Sequence, residues 1–163
     1  MSSNTPWAVW RSPGEGPEAD EGIAAVFGVL GQAMYYSQAL EGNLRHWVAS
    51  AELRKDRELS IDDAYGRHAE RALGQLVHRL KDLCELPPDQ SRRLDAAVRS
   101  RNALAHDFVD ERAHRLIDVQ GRRGLFAELE REMRLLKDVN SEVLQIVTDP
   151  RLLSGWPLNR SGS

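Results

Sequence analysis

Residues 20–54 read DEGIAAVFGVLGQAMYYSQALEGNLRHWVASAELR, and this stretch decides the fold class. Apolar side chains recur at Ile23, Val26, Phe27, Leu30, Met34, Leu40, Leu44, Trp47, Val48 and Ala51, the three-and-four spacing of one helix face. The spacing predicts a single long helix from Asp20 to about Arg54. Its first half, Gly22 to Leu40, carries no charged residue. That length invites comparison with a membrane span, but Gln32, Ser37, Gln38, Tyr35, Tyr36 and the glycines argue against one. An uncharged helix in a water-soluble protein is buried on more than one side. We therefore expect one side against its own bundle and the other against a second protomer, whose helix could approach closely over Ala24, Ala25, Gly28 and Gly31.

On the N-terminal side, residues 1–19 contain Pro6, Pro13, Pro17, Gly14 and Gly16 without a period, which predicts a flexible arm. Trp7 and Trp10 within it should dock on the bundle or on a neighbouring chain. On the C-terminal side, Ser60 with Asp63 resembles a capping box, so a second helix should start near Ile61. It runs to about Leu86 or breaks near residues 72–74, and Leu73, Leu76, Val77, Leu80, Leu83 and Cys84 give its later part a buried face. Pro87-Pro88 stops it, and Asp89 is placed to cap the next helix. There Leu94, Ala97, Val98, Arg101, Leu104, Ala105 and Phe108 share the inner stripe. Asp118 or Gly121 opens a last long helix carrying Leu125, Leu129, Met133, Leu136, Val139, Val143 and Ile146, which Pro150 ends. The tail beyond it should be partly ordered.

The 163 residues fit one domain, taken as residues 20–149 between the arm and a tail at 150–163. Aromatics are only 6% and β-branched residues form no alternating runs, so the class is all-α, an up-and-down bundle of four to five helices. One cysteine, Cys84, excludes an internal disulfide and reads as a packed core thiol. No secretory signal pattern opens the sequence, and a cytoplasmic location is expected. A net charge of -3 argues against a strongly basic nucleic-acid binder. Locally the balance reverses: residues 91–124 hold eight arginines (92, 93, 99, 101, 112, 115, 122, 123) against five acids (95, 107, 110, 111, 118), a surplus of three. Such a tilt is either a solvated helix face or a phosphate-facing surface.

Within that region stands Arg101-Asn102-Ala103-Leu104-Ala105-His106. An arginine in a core stripe must find an anion, a carbonyl or an interface, because burying it unpaired is costly. An arginine followed by a histidine five to seven positions on also occurs as Arg99 to His106 and Arg71 to His78, so spacing alone decides little. Asn102 directly after Arg101, and the Arg-rich exit beyond Phe108, single out the first pair. Residues five apart diverge by about 140° around an α-helix. Arg101 and His106 can meet only if the helix loosens at its end or a second chain supplies the opposite wall; a composite site at a homodimer interface, each protomer giving an arginine and a histidine to one cleft, is expected. His46, His68, His78 and His114 show no metal-ligand spacing and are expected on the surface or at helix flanks; no metal or cofactor is implied.

The hexapeptide resembles the R-x4-6-H motif of HEPN domains (higher eukaryotes and prokaryotes nucleotide-binding), in which a polar residue comes directly after the arginine. Ala72-Leu73-Gly74-Gln75-Leu76-Val77 resembles a Leu-Gly-x-Leu segment that precedes the motif helix in some bacterial members. The run from Asp107 through Arg112, then Gly121 and Ala127-Glu128-Leu129-Glu130, is similar to the segment C-terminal to the motif in those members. The resemblance spans roughly residues 22–147. It implies a homodimeric helical bundle and, in catalytic members, metal-independent cleavage of RNA to a 2′,3′-cyclic phosphate, as in toxin or phage-defence effectors. Arg101, Asn102 and His106 would then be the catalytic residues, with RNA as substrate and an antitoxin as a possible partner. Where toxins neutralised by nucleotide transfer carry a tyrosine two residues after the histidine, this chain has Phe108, so that mode of neutralisation does not apply. The alternative implied by the same resemblance is a non-catalytic adaptor binding a nucleotide or protein in the same cleft.

Overall fold

The structure, a computed structural model, describes residues 17–159. Most of the arm, with Trp7 and Trp10, lies outside the described residues. The chain is all-helical among those described: α1 (Pro17–Lys55), α2 (Ile61–Gly66), α3 (Leu73–Leu83), α4 (Pro88–Asn102), a π-helical segment (Ala103–Arg112), a 3-10 turn (Ala113–Leu116), α5 (Val119–Thr148) and α6 (Pro150–Gly155). α1 begins on a proline, whose missing N–H belongs to a position without an intrahelical partner. It takes in residues 17–19, which the sequence places in the arm. No helix among the described residues is long and apolar enough to cross a membrane.

α1 and α5 pack along each other, with α3 against α1 and α4 against α5. Their apolar faces close one core, in which Leu40, Leu44, Trp47, Leu73, Leu76, Leu80, Leu94, Leu125, Leu129 and Leu136 are fully buried. A hydrogen bond of 2.9 Å from Asn43 Nδ2 to Asn140 Oδ1 ties α1 to α5 and satisfies the buried Asn140 carbonyl. Ser60 caps α2 by accepting from the Asp63 N–H at 3.1 Å. The second helix breaks: α2 ends at Gly66 and α3 starts at Leu73, where the Ala72 N–H is bound by Gln75 Oε1 at 3.2 Å. Asp89 does not cap α4. Pro87 holds that position, and Asp89 lies in the first turn, where its charge complements the helix dipole.

Asp118 caps α5, accepting from the Gly121 N–H at 2.8 Å. A Cβ at Gly121 would stand 2.2 Å from the Arg115 carbonyl oxygen, so only glycine fits where the chain turns into α5. Gly121→Ala should lower stability by roughly 1–3 kcal/mol, read as a shift in the urea midpoint at constant slope.

The C-terminal segment is docked rather than loose. Pro150 starts α6, whose first turn Asp149 caps through the Arg151 N–H at 2.8 Å. Arg54 reaches from α1 to the carbonyls of Leu153 (3.2 Å) and Trp156 (2.9 Å), and Asn159 Nδ2 donates to those of Lys81 (2.7 Å) and Asp82 (3.0 Å). Trp156 meets Trp47 edge-on at 5.2 Å. Cys84, buried beside the isolated bridge to Leu158, has its thiol pushed up by burial against the pull of Arg54, which suits an inert core residue.

Candidate functional site

α4 changes its winding at Ala103, between Arg101 and His106. Up to Asn102 the helix is α; from Ala103 to Arg112 it is π. The backbone bond of a π-helix spans five residues and each residue turns the chain less, so side chains five apart across this segment diverge less than the about 140° of an α-helix. The segment is anchored at three places. Leu104 and Phe108 are buried, Phe108 lies against Phe27 of α1 with centroids 6.4 Å apart, and Arg112 pairs with Glu132 (3.0 Å) and Glu128 (3.4 Å) on α5. Burial pushes the Glu132 carboxyl above its ordinary value despite Arg112. The wider winding therefore sits in the connection that must present residue 106.

Its consequence is a contact within one chain. Arg101 Nη1 lies 3.4 Å from His106 Nε2 and 3.4 Å from Asn102 Oδ1. Both are long for hydrogen bonds, so the group is a cluster rather than a locked network. A guanidinium has no acceptor atom, so in a hydrogen bond between the two Arg101 donates and His106 Nε2 accepts. His106 and Asn102 are exposed and Arg101 is half-buried, which leaves all three within reach of a solute. Asn102 touches Arg101 and makes no hydrogen bond to His106. Arg99 is exposed and hydrogen-bonds neither.

Arg101 makes no ion pair among the described residues. Asp95, a carboxylate in its own helix, is held instead by Lys81 at 2.6 Å. His106 lies inside the π segment and so does not terminate a helix. Ala105, placed by the sequence on the inner stripe, is exposed, because the changed winding rotates it outward.

The surplus of arginines around the hexapeptide is mostly spent within the fold. Arg92 pairs with Asp89 (3.2 Å), Arg93 with Glu142 (2.6 Å), Arg112 with Glu128 and Glu132, and Arg115 with Glu128 (2.6 Å). Arg122 is buried and donates to the carbonyls of Leu116 (2.8 Å) and Ile117 (3.3 Å). Three of those acids, Glu128, Glu132 and Glu142, lie on α5 beyond residues 91–124, so the free basic face is smaller than the local charge balance implies. Arg99, Arg101 and Arg123 remain without an ion pair among the described residues.

His68 also departs from its expected place. Far from lying at a surface or flank, it is 1% exposed, with Nε2 3.0 Å from Glu52 Oε2. The approach is close enough for an ion pair but is not aligned as a hydrogen bond, and Nδ1 has no partner either. Glu52, 6% exposed, also accepts from Arg79 Nε (2.8 Å) and Nη2 (2.6 Å). Burial drives its carboxyl up, but His68 and Arg79 together outweigh that and hold it below its ordinary 4.5. His46 is half-buried against Tyr65 and hydrogen-bonded to its hydroxyl, while His78 and His114 are exposed. No group of three or more His, Cys, Asp or Glu that could hold a metal occurs among the described residues.

The lowered Glu52 value fixes a pH dependence. A carboxyl depressed in the folded state contributes stability above its unfolded value and loses that contribution as pH falls through the folded one. The urea midpoint of the wild type should drop on acidification below about 4.5, the ordinary glutamate value. Glu52→Gln should be less stable at neutrality and show a shallower acid limb.

Comparison with protein-family profiles, curated proteins and solved structures gave no match.

Proposed function

We propose that the chain is a HEPN-type, metal-independent endoribonuclease, acting as a toxin or defence effector, in which Arg101 and His106 form the cleavage unit. The observation that carries this reading is the 3.4 Å approach of Arg101 Nη1 to His106 Nε2 across the π segment, without a carboxylate neutralising the guanidinium. A phosphodiester entering the cluster takes the guanidinium, which bonds two of its oxygens at once and stabilises charge on the pentacoordinate phosphorus. That frees the Nε2 lone pair of His106 to accept the ribose 2′-hydroxyl proton. The 2′-oxygen attacks phosphorus, the bond to the 5′-oxygen breaks, and the proton taken up by His106 Nε2 passes, directly or through water, to that leaving oxygen. Asn102 positions the arginine it touches. The product ends are a 2′,3′-cyclic phosphate and a 5′-hydroxyl.

A homodimer belongs to the same proposal, on different grounds. Because one chain already brings the arginine and histidine together, a second chain is not needed for that contact. What favours a dimer is the uncovered face of α1: Phe27 is 49% and Tyr35 64% exposed, with Ala24, Ala25, Gly28, Gly31 and Gln32 exposed between and beside them. The Phe27–Phe108 contact sets one end of this uncharged face beside the Arg101–His106 cluster. Two chains joined there would place two such clusters in one cleft. Light scattering should report twice the chain mass, and Tyr35→Glu should return the monomer.

The test of the activity is incubation with single-stranded and structured RNA in EDTA, with identification of the new ends. Fragments ending in cyclic phosphate support cleavage; RNA bound and recovered intact would assign the chain to the adaptor class instead.

A further inference from the structure

A second cluster of arginines and histidines lies where α1, α3 and the connection between α2 and α3 meet. It lines a cleft of about 400 Å3 formed by Glu52, Arg67, His68, Arg71, His78, Arg79 and Asp82. Glu52 and Phe27 are 25 residues apart on α1, so this cleft and the Phe108-anchored site are separated by roughly 37 Å along that helix. It includes Arg71 and His78, the spaced pair that the proposed cleavage site leaves unused.

The charges in the cleft are unevenly satisfied. Arg79 is committed to Glu52, and Asp82 is 3.8 Å from His78 at the rim. Arg67 and Arg71 line the same space and make no ion pair or side-chain hydrogen bond among the described residues. Below them His68 is almost wholly buried, and its Nδ1 has no hydrogen-bond partner. Three guanidiniums against two carboxylates, one of them already bonded to Arg79 through two donors, leave a net positive cleft. Guanidinium forks match the oxygens of a tetrahedral oxyanion.

We infer that the cleft bounded by Arg67, Arg71 and Arg79 over the buried Glu52–His68 pair is a binding site for a phosphoryl group. Arg67 and Arg71 grip its oxygens, and Arg79, fixed by Glu52, forms the wall. The group is either free phosphate or a phosphomonoester, since the chemistry recognised is the same.

The test is a titration of the isotope-labelled protein with inorganic phosphate and, separately, phenyl phosphate, monitoring backbone amides by NMR at ionic strength matched with sodium chloride. Saturable shifts around Glu52 and residues 67–82, separate from any at residues 101–106, are expected for one or both ligands, and tighter binding of phenyl phosphate would identify the monoester as the better fit. Arg67→Ala and Arg71→Ala should each weaken binding about tenfold, the loss of one charge-assisted contact. The His106→Ala protein should bind as the wild type does, whether or not the chain cleaves RNA. Absence of saturable shifts, equal binding by an Arg67→Ala/Arg71→Ala double variant whose spectrum shows it folded, or loss of the response in His106→Ala would overturn the inference.

Discussion

His106→Ala is expected to slow RNA cleavage in EDTA by on the order of 100- to 10,000-fold, the usual contribution of a positioned acid or base. Arg101→Ala should cost about 100- to 1,000-fold, as the loss of a donor aimed at developing charge does. Arg101→Lys should rescue little, because an ammonium cannot bond two phosphate oxygens in a plane. All three variants should keep the wild-type helical signal and urea midpoint, since Arg101 and His106 are not part of the fully buried core and form no ion pair. A parallel loss of fold and activity would show instead that the pair is structural.

Trp47→Ala should be the most destabilising single change, by about 3–5 kcal/mol. Against a typical total of about 5–15 kcal/mol, that removes a large share of the stability. Trp47 is 1% exposed, sits in the main core and stacks edge-on against Trp156. Its loss opens a cavity and also removes the platform on which residues 150–159 dock. Chemical denaturation should show the lowered midpoint, and limited proteolysis should cut between residues 150 and 159 in the variant well before it does in the wild type. Trp156→Ala, which truncates a half-buried ring, should release the segment at a much smaller cost in global stability.

The helices were legible because their signals are local. An apolar stripe over thirty-five residues specifies α1, Pro87-Pro88 separates α3 from α4, and Asp118 with its N–H partner three residues on starts α5. The features that stayed hidden depend on contacts between helices. The surplus of arginines looked like a free basic surface because its neutralising acids, Glu128, Glu132 and Glu142, sit on another helix. Glu52 stands four residues after Val48 of the apolar stripe, so it shares that face and must be met by a cation, yet nothing local says that His68 and Arg79 are the ones. The tail from residue 150 looked weakly ordered because its anchors, Arg54 and Trp47, lie about a hundred residues earlier.

The candidate site was legible in composition and not in geometry. Arg101, Asn102 and His106 could be picked out by type and spacing, but an ideal α-helix would have turned the first and last apart. Two remedies were open, a loosened helix or a second chain. The fold uses the first: Leu104 and Phe108 held in the core and Arg112 drawn to α5 bracket a π segment across which the His106 side chain comes within 3.4 Å of Arg101.

Arg101→Ala and His106→Ala chains, co-expressed and purified as one mixed preparation, provide the most direct test when their single-turnover RNA cleavage in EDTA is measured beside the wild type. A guanidinium and an imidazole that work as a unit within one chain predict a wild type that cuts and a mixture as inactive as either variant alone. A mixture that regains a substantial fraction of the wild-type rate would mean that the working arginine and histidine come from different chains, contradicting the contact across the π segment as the cleavage unit.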